Sequence, residues 1–271
     1  MPTLFVVATP IGNLEDISLR AIRTLREVKL IAAEDTRKTK RLLTTYDIRT
    51  PMTSYYEHNK LTKLDYILDR LLGGDVALVS EAGTPGMSDP GYELILAASR
   101  SGIPVVPVPG ASAVITALTI SGLATDRFTY LGFLPRKAGD RRKLLESAVD
   151  DPGTIVILET PHRLTAALKD MLTSFGDRRI AVCRELTKLH EEVFRGSISQ
   201  AIERFTQPLG EFTLVIEGKK EIHQVELTAD IRKQLQGMHL SGIKAKEAVA
   251  QVAGETGLSK KELYRAWLEQ V

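Results

Sequence analysis

The first 122 residues alternate between short apolar runs and amphipathic segments. The apolar runs are rich in Val and Ile, and their length is typical of buried strands. The segments between them carry apolar residues at helical spacing. This alternation predicts an α/β fold with a mostly parallel sheet. The predicted strands are residues 4–8, 30–33, 76–80 and 105–108, and the predicted helices are residues 19–28, 61–72, 92–101 and 111–121.

The pattern changes near Gly122, where the strands become more widely spaced. Helical segments still separate them, so we expect a second α/β domain with a mixed sheet and place the boundary near Leu123. The predicted strands of this domain are residues 128–134, 154–158, 180–186 and 212–216, and its helices are residues 141–149, 164–175 and 199–205.

After Gly218 the strands stop, and the chain from Leu227 onward predicts three short helices. The last two, residues 244–256 and 260–269, are joined by a tight turn that contains Gly257, and Ser259 is the expected N-cap. Two short helices joined in this way are typical of a helix-turn-helix unit. The sequence therefore predicts three parts: residues 1–122, 123–224 and 225–271.

The composition excludes several classes of protein. The 271 residues hold 36 Lys and Arg against 34 Asp and Glu, a net charge of +2, so a nucleic-acid site must be a local patch. The single cysteine, Cys183, lies in an apolar run and indicates a buried thiol. The histidines, at positions 58, 162, 190, 223 and 239, lack metal-ligand spacing, so we expect no metal. No apolar run approaches membrane-spanning length and no basic leader precedes the first strand, so we expect a soluble cytoplasmic protein.

Three Gly- and Pro-rich loops follow predicted strands of the first domain: residues 8–16, 80–91 and 107–113. Open α/β sheets bind ligands at the carboxyl ends of their strands, and Gly and Pro in such loops permit close backbone approach to a ligand. Each loop alone is also explained as an ordinary turn. The convergence of three at one sheet edge favours a binding site. Phosphate-binding and hydrolase signatures are absent, which excludes the common nucleotide and serine-hydrolase sites.

Two segments concentrate positive charge, residues 37–41 and 136–143. Either one is explained as a solvated helix face. Together, on both sides of the expected site, they favour contacts with the phosphates of a nucleic acid. The terminal helical unit carries only a small positive excess and is a weaker signal. The candidate nucleic-acid-binding residues are Arg37, Lys38, Arg41, Arg136, Lys137, Arg141, Arg142, Lys260 and Lys261.

The three loops resemble those of the tetrapyrrole-methylase class of S-adenosylmethionine-dependent methyltransferases, although Thr84 stands where that class has an aspartate. Longer matches are similar to the ribosomal RNA small subunit methyltransferase I (RsmI) family. They are residues 33–37, 80–91, 132–137, 159–163 and 184–188, and the terminal helices resemble that family's appended domain.

This resemblance implies S-adenosyl-L-methionine as cofactor, bound in a cleft between two α/β domains. It implies 16S rRNA of the small ribosomal subunit as partner, with methylation of the ribose 2′-hydroxyl of a cytidine in the decoding centre. It also implies a homodimer. The expected cofactor-binding residues are Pro10, Gly12, Gly83, Thr84, Pro85, Met87, Gly110, Ser112, Ala113, Leu158 and Thr213.

A ribose hydroxyl is a poor nucleophile until its proton leaves, so a general base is expected near the cofactor. Glu81 is favoured because it ends a strand directly before the longest loop, although a structural ion pair with Arg37 explains it almost as well. Asp35 and His58 are further candidates. Glu34 and Asp35 are also explained as acids at a helix N-terminus.

Two other functions remain open at this point. The same scaffold serves methyltransferases of small molecules such as tetrapyrroles, but the basic segments and terminal helices argue against that function. A non-catalytic ribosome- or RNA-binding module is the second alternative. Fold alone does not distinguish these functions.

Overall fold

The computed structural model describes residues 1–219 and 227–269 and divides the chain into two compact units. The first unit, Met1–Lys219, holds two β-sheets, and the second, Lys220–Val271, is helical where it is described. The predicted boundary at Leu123 lies between the two sheets and stays a prediction, since both sheets belong to one compact unit. The predicted boundary after residue 224, and His223, lie outside the described residues.

The first sheet has five parallel strands in the order β3-β2-β4-β1-β5, which confirms the predicted α/β class. Crossover helices connect the strands. The strands are β1 (Leu4–Val7), β2 (Leu30–Ala33), β3 (Met52–Ser54), β4 (Val76–Val79) and β5 (Val105–Val108), and the helices are α1 (Leu19–Glu27), α2 (Thr36–Thr45), α3 (Lys60–Leu72), α4 (Tyr92–Arg100) and α5 (Ala113–Ile120).

Helices cover both faces of this sheet. Neighbouring strand residues point to opposite sides, so each strand contacts helices on both faces. Ile31 packs with Leu25 of α1 on one face, and its neighbour Leu30 packs with Leu94 of α4 on the other. All four residues of β2 are buried, as expected for a strand covered on both sides.

The second sheet has the order β6-β7-β10-β8-β9 and is mixed, as the sequence predicted. Only β6 and β7 pair in parallel, and the other pairs are antiparallel. The strands are β6 (Phe128–Phe133), β7 (Thr154–Glu159), β8 (Arg179–Arg184), β9 (Glu192–Ser197) and β10 (Phe212–Ile216), and the helices are α6 (Ala138–Ser147), α7 (Pro161–Phe175) and α8 (Ile198–Arg204).

Helix α5 joins the two sheets. It follows the last strand of the first sheet, and its Val114, Ala117 and Leu118 pack with Val156 and Val215 of the second. The other face of the second sheet lies under α6, α7 and α8. Because α5 contacts the second sheet directly, the loops that end β1, β4 and β5 lie beside that sheet.

The second unit contains three short helices: α9 (Ala229–Leu240), α10 (Ala245–Thr256) and α11 (Lys260–Leu268). Gly257 ends α10 with a φ of +74°, and the Ser259 hydroxyl accepts the amide hydrogen of Glu262, which confirms the predicted N-cap. Trp267 is buried in this unit's own core with Leu235 and Val252. In the described part of the chain no helix is long and apolar enough to cross a membrane.

Candidate functional site

Three loops meet at the carboxyl edge of the first sheet, because β4, β1 and β5 are adjacent strands. Thr9 and Gly83 exchange two backbone hydrogen bonds, of 2.9 and 3.0 Å, which tie the first loop to the second. Gly83 has a φ of +82°, a conformation that favours glycine. Gly110 of the third loop lies against Ala8, where an added Cβ would stand 3.0 Å from the Ala8 Cβ. The convergence predicted from the sequence is therefore present.

The loops form one wall of a cavity of about 320 Å³, and the second sheet forms the other. Leu158 on β7, Cys183 on β8 and Thr213 on β10 line it from the second sheet. These three residues lie side by side, because Thr213 pairs with both Leu158 and Cys183 in the sheet register. We refer to this space as the first cavity.

Most of the predicted cofactor residues line the first cavity, namely Gly83, Thr84, Met87, Ser112, Ala113, Leu158 and Thr213. Four do not. Pro85 is buried in the loop, and Gly110 packs on Ala8 and serves the loop's conformation. Pro10 and Gly12 line a neighbouring cavity instead. These four positions do not line the first cavity, and their assignment to cofactor binding stays a prediction.

Three acidic residues, Glu34, Glu81 and Asp89, stand together on the wall formed by the first sheet. The Glu34 carboxylate accepts the backbone N–H of Glu81 at 2.9 Å, and the Glu81 carboxylate pairs with Lys38. Burial raises the pKa of Asp89 to about 7, and the charges of Glu34 and Glu81 add to this effect, while a hydrogen bond with Ser80 opposes it. A carboxyl group that titrates near neutral pH inside a cavity is typical of a functional site.

Asp89 was not among the sequence candidates for the base. It stands in the Gly- and Pro-rich loop as one polar residue among several, and only the fold brings it beside Glu34 and Glu81. The available signal was the loop itself, at the carboxyl end of a strand.

Two sequence candidates for the base, Asp35 and His58, do not line the first cavity, and their assignment as the base stays a prediction. Asp35 caps α2, where its carboxylate accepts the amide hydrogens of Arg37 and Lys38. The hydrogen bonds from the backbone amides of Lys38 and Arg37 lower the pKa of Asp35. His58 is exposed and contacts Tyr56 edge-to-face, and it lines neither cavity.

Cys183 is fully buried, as predicted from its apolar run. Burial raises the pKa of its thiol to about 11, so the thiol is neutral near pH 7 and serves as an apolar wall. Within the described residues no group of three or more His, Cys, Asp or Glu could hold a metal ion.

The sequence and the fold are similar to those of known proteins. Residues 3–202 match the family model described as tetrapyrrole (corrin/porphyrin) methylases. A ribosomal RNA small subunit methyltransferase I of Halalkalibacterium halodurans is 46% identical, over 99% of this chain and 95% of that protein. The protein of the same name in Synechocystis is 46% identical over 99% and 98%, and that of Bacillus subtilis is 44% identical over 98% and 94%.

The chain belongs to the ribosomal RNA small subunit methyltransferase I family. Solved structures agree at the level of the fold. A uroporphyrin-III C-methyl transferase of Thermus thermophilus, complexed with S-adenyl homocysteine, superposes with a TM-score of 0.58 over 79% of this chain and 97% of that one, at 19% identity. Diphthine synthase superposes with a TM-score of 0.60 over 79% and 90%, at 16% identity.

The basic residues predicted to contact RNA divide into several groups. Arg37, Lys38 and Arg41 lie on the exposed side of α2. Arg136 and Lys137 are exposed before α6, and Lys260 and Lys261 are exposed on α11 of the separate helical unit.

Arg141 differs from the sequence prediction, and its neighbour Arg142 pairs with the same acid. Arg141 is buried and pairs with Asp170 of α7, with the guanidinium Nη2 2.5 Å from a carboxylate oxygen. Arg142 is exposed, but its Nε lies 2.9 Å from the other oxygen of Asp170. Because Arg141 neutralises a buried acid, the prediction that it contacts phosphate is wrong. The charge pattern alone did not reveal this, since Asp170 lies 29 residues away in the chain.

Proposed function

We propose that this chain transfers a methyl group from S-adenosylmethionine to 16S ribosomal RNA. The observation that carries the proposal is the 46% identity to small subunit methyltransferase I proteins over 99% of the chain. The resemblance in the sequence refines the acceptor to the ribose 2′-hydroxyl of a decoding-centre cytidine. A cytoplasmic location and a homodimer remain predictions of the same resemblance.

The first cavity has the chemistry that this cofactor requires. S-adenosylmethionine is a sulfonium cation, and it supplies an electrophilic methyl group when bound. Leu158, Met87 and Val114 offer apolar surface suited to an adenine ring. Ser112 and Ala113 lie at the N-terminus of α5, where the first backbone N–H groups of a helix lack partners within the helix. The acids on the wall formed by the first sheet favour a positively charged ligand.

Thr84 is compatible with a cofactor in the first cavity, although the tetrapyrrole-methylase class has an aspartate at this position. Thr84 lines the cavity, so its hydroxyl remains available for a hydrogen bond. Glu34, Glu81 and Asp89 supply carboxylates on the same wall, so negative charge near the sulfonium does not depend on position 84.

Asp89 is the proposed proton acceptor. A general base works best when its pKa lies near the working pH, and the pKa of Asp89 is about 7. Glu81 is held by Lys38 and acts on Asp89 through its charge. The bound cofactor would supply the methyl group, and the Asp89 carboxylate would accept the proton that the ribose 2′-hydroxyl loses.

The proposal is tested by mapping ribose methylation on 16S rRNA by mass spectrometry. Small subunits from cells that lack this protein are incubated with purified protein and cofactor. We expect one new 2′-O-methylcytidine in the decoding centre. No methylation of RNA, with normal cofactor binding, would leave a non-catalytic RNA-binding module as the better account. Methylation of a tetrapyrrole but not of RNA would favour the small-molecule alternative.

Ala113→Phe tests the place of the cofactor. A phenyl ring on the first turn of α5 enters the first cavity, so we expect calorimetric titration to show affinity for S-adenosylhomocysteine reduced at least tenfold. Thr119→Phe is the matched control, because Thr119 lies on the exposed side of the same helix and outside the cavity. Equal affinities in the two variants would contradict the assignment of the cavity.

A further inference from the structure

A second cavity, also of about 320 Å³, adjoins the first. It lies between the loop after β1, the helix α2 and the segment after β8. Its lining residues include Pro10, Gly12, Leu14, Lys38, Arg41 and Lys188. The proposed function places the cofactor and Asp89 in the first cavity and gives the second cavity no role.

The two cavities share a wall. Ile11, Glu81, Ala82 and Glu211 line both of them. Asp89, which lines the first cavity, interacts with Ser80, which lines the second. A group bound in the second cavity therefore lies next to the first cavity at the position of the acidic residues. Methyl transfer requires such an arrangement, because the acceptor oxygen must come within about 3–3.5 Å of the methyl carbon.

The second cavity is fixed in shape by close packing between the first and second sheets. A Cβ on Gly12 would stand 2.5 Å from the Lys188 Cγ and 2.7 Å from the Thr187 Oγ1, so only glycine fits there. The backbone N–H of Asn13 donates to the Thr187 hydroxyl at 3.0 Å and holds the two segments together. Thr187 itself has a φ of +67°, an uncommon conformation for a residue with a side chain.

The charges of the second cavity favour an anion at one end. Lys188 forms ion pairs with Glu185 and Glu211, at 2.9 Å each, and Lys38 forms an ion pair with Glu81. Arg41 is exposed and makes no ion pair with any acid in the described part of the chain. Its guanidinium is thus available for a phosphate, to which it can donate two parallel hydrogen bonds. Ile11, Leu14 and Leu42 give the same cavity apolar surface.

We propose that the second cavity binds the target nucleotide of a single-stranded RNA segment, with Arg41 on its phosphate and its ribose directed over Glu81 and Ala82 toward the first cavity. A nucleotide combines a phosphate anion with a ribose and a flat base, and the cavity offers a free cation and apolar surface to match. This inference rests on the proposed function and adds to it the place where the acceptor lies.

Arg41→Ala tests the inference, with isolated small ribosomal subunits as the probe. Arg100→Ala is the matched control, because it removes the same charge from an exposed position on α4 that lines neither cavity. In single-turnover methylation we expect Arg41→Ala to raise the half-saturating subunit concentration at least fivefold and to lower the log–log salt slope by roughly 0.7. Arg100→Ala should match the wild type, and S-adenosylhomocysteine affinity should be unchanged in both variants.

The outcomes separate the inference from the proposed function. If the wild type methylates small subunits and Arg41→Ala behaves as Arg100→Ala does, the second cavity is not the nucleotide site, while the proposed function stands. If the wild type methylates no subunit RNA, the proposed function fails and the inference fails with it. A loss in Arg41→Ala that appears only as weaker S-adenosylhomocysteine binding also overturns the assignment.

Discussion

Asp89→Asn is expected to lower the single-turnover rate of methyl transfer by about 10²–10⁴, the usual contribution of a general base. Asparagine keeps the shape of the side chain and removes its capacity to accept the proton. The affinities for S-adenosylhomocysteine and for small subunits should change little, because the cavity walls are preserved. Rapid-quench measurement with enzyme in excess over subunits gives the chemical step directly.

The pH dependence gives an independent signature of the same group. Asp89 accepts a proton only as the carboxylate, and its pKa is about 7 in the folded protein. The wild-type rate should therefore rise with pH through about 7 and reach a plateau above it. This dependence should be absent from the residual activity of Asp89→Asn.

Glu81→Gln is the decisive comparison. Removing this like charge should lower the pKa of Asp89 and move the rise in rate to lower pH, with only a modest loss on the plateau. A loss of about 10²–10⁴ in Glu81→Gln beside a near-normal rate in Asp89→Asn would instead identify Glu81 as the base. The two variants together thus distinguish the group that takes the proton from the group that sets its pKa.

Sequence periodicity predicted the elements with strong apolar patterns and missed those without them. Helix α2 is mostly polar, so its apolar pattern did not predict it, although the acids at Glu34 and Asp35 indicated a helix N-terminus there. Strand β3 has three residues, and none of them is fully buried. Strand β9 is an edge strand with charged residues at Glu192 and Arg195. Pairing with a neighbouring strand stabilises such segments, and a local pattern does not contain that information.

The same distinction applies to the site. The three loops were predictable because Gly and Pro after buried strands mark the ligand-binding edge of an open sheet. Asp89 and Arg141 were not, since the role of each depends on residues distant in sequence. Burial raises the pKa of Asp89 and the charge of Glu34 adds to the effect, whereas Arg141 is buried and paired with Asp170. Composition shows how many charged residues the chain has, but only the structure shows which of them are paired.

Asp170→Ala is expected to lower the free energy of unfolding by about 3–5 kcal/mol, because it leaves the buried Arg141 charge without a partner. The Asp170 carboxylate accepts from the Nε of Arg141 at 2.7 Å and from the Nε of Arg142 at 2.9 Å. Burial opposes ionisation of Asp170, but the hydrogen bonds from Arg142 and Arg141 prevail and lower its pKa. Urea denaturation at pH 7, followed by circular dichroism, measures the loss.

Two controls show whether the buried charge is the cause. Arg142→Ala should cost less than about 1 kcal/mol, since Arg142 is exposed and screened by water. Arg141→Met combined with Asp170→Leu should recover much of the stability lost in Asp170→Ala, because an apolar pair of similar volume leaves no unpaired charge. A double variant as unstable as Asp170→Ala would show that packing, and not charge, is responsible.

The sign of the pH dependence follows from the lowered pKa of Asp170. The stabilisation is present above the ordinary pKa of an aspartate and is lost as the pH falls through the lower value in the folded protein. The difference between wild type and Asp170→Ala should therefore narrow in acid. Because this ion pair fixes α6 against α7, and Arg136 and Lys137 directly precede α6, Asp170→Ala should also weaken the binding of small subunits. Intact subunit binding in a folded Asp170→Ala protein would exclude a role for this pair in presenting the exposed cations.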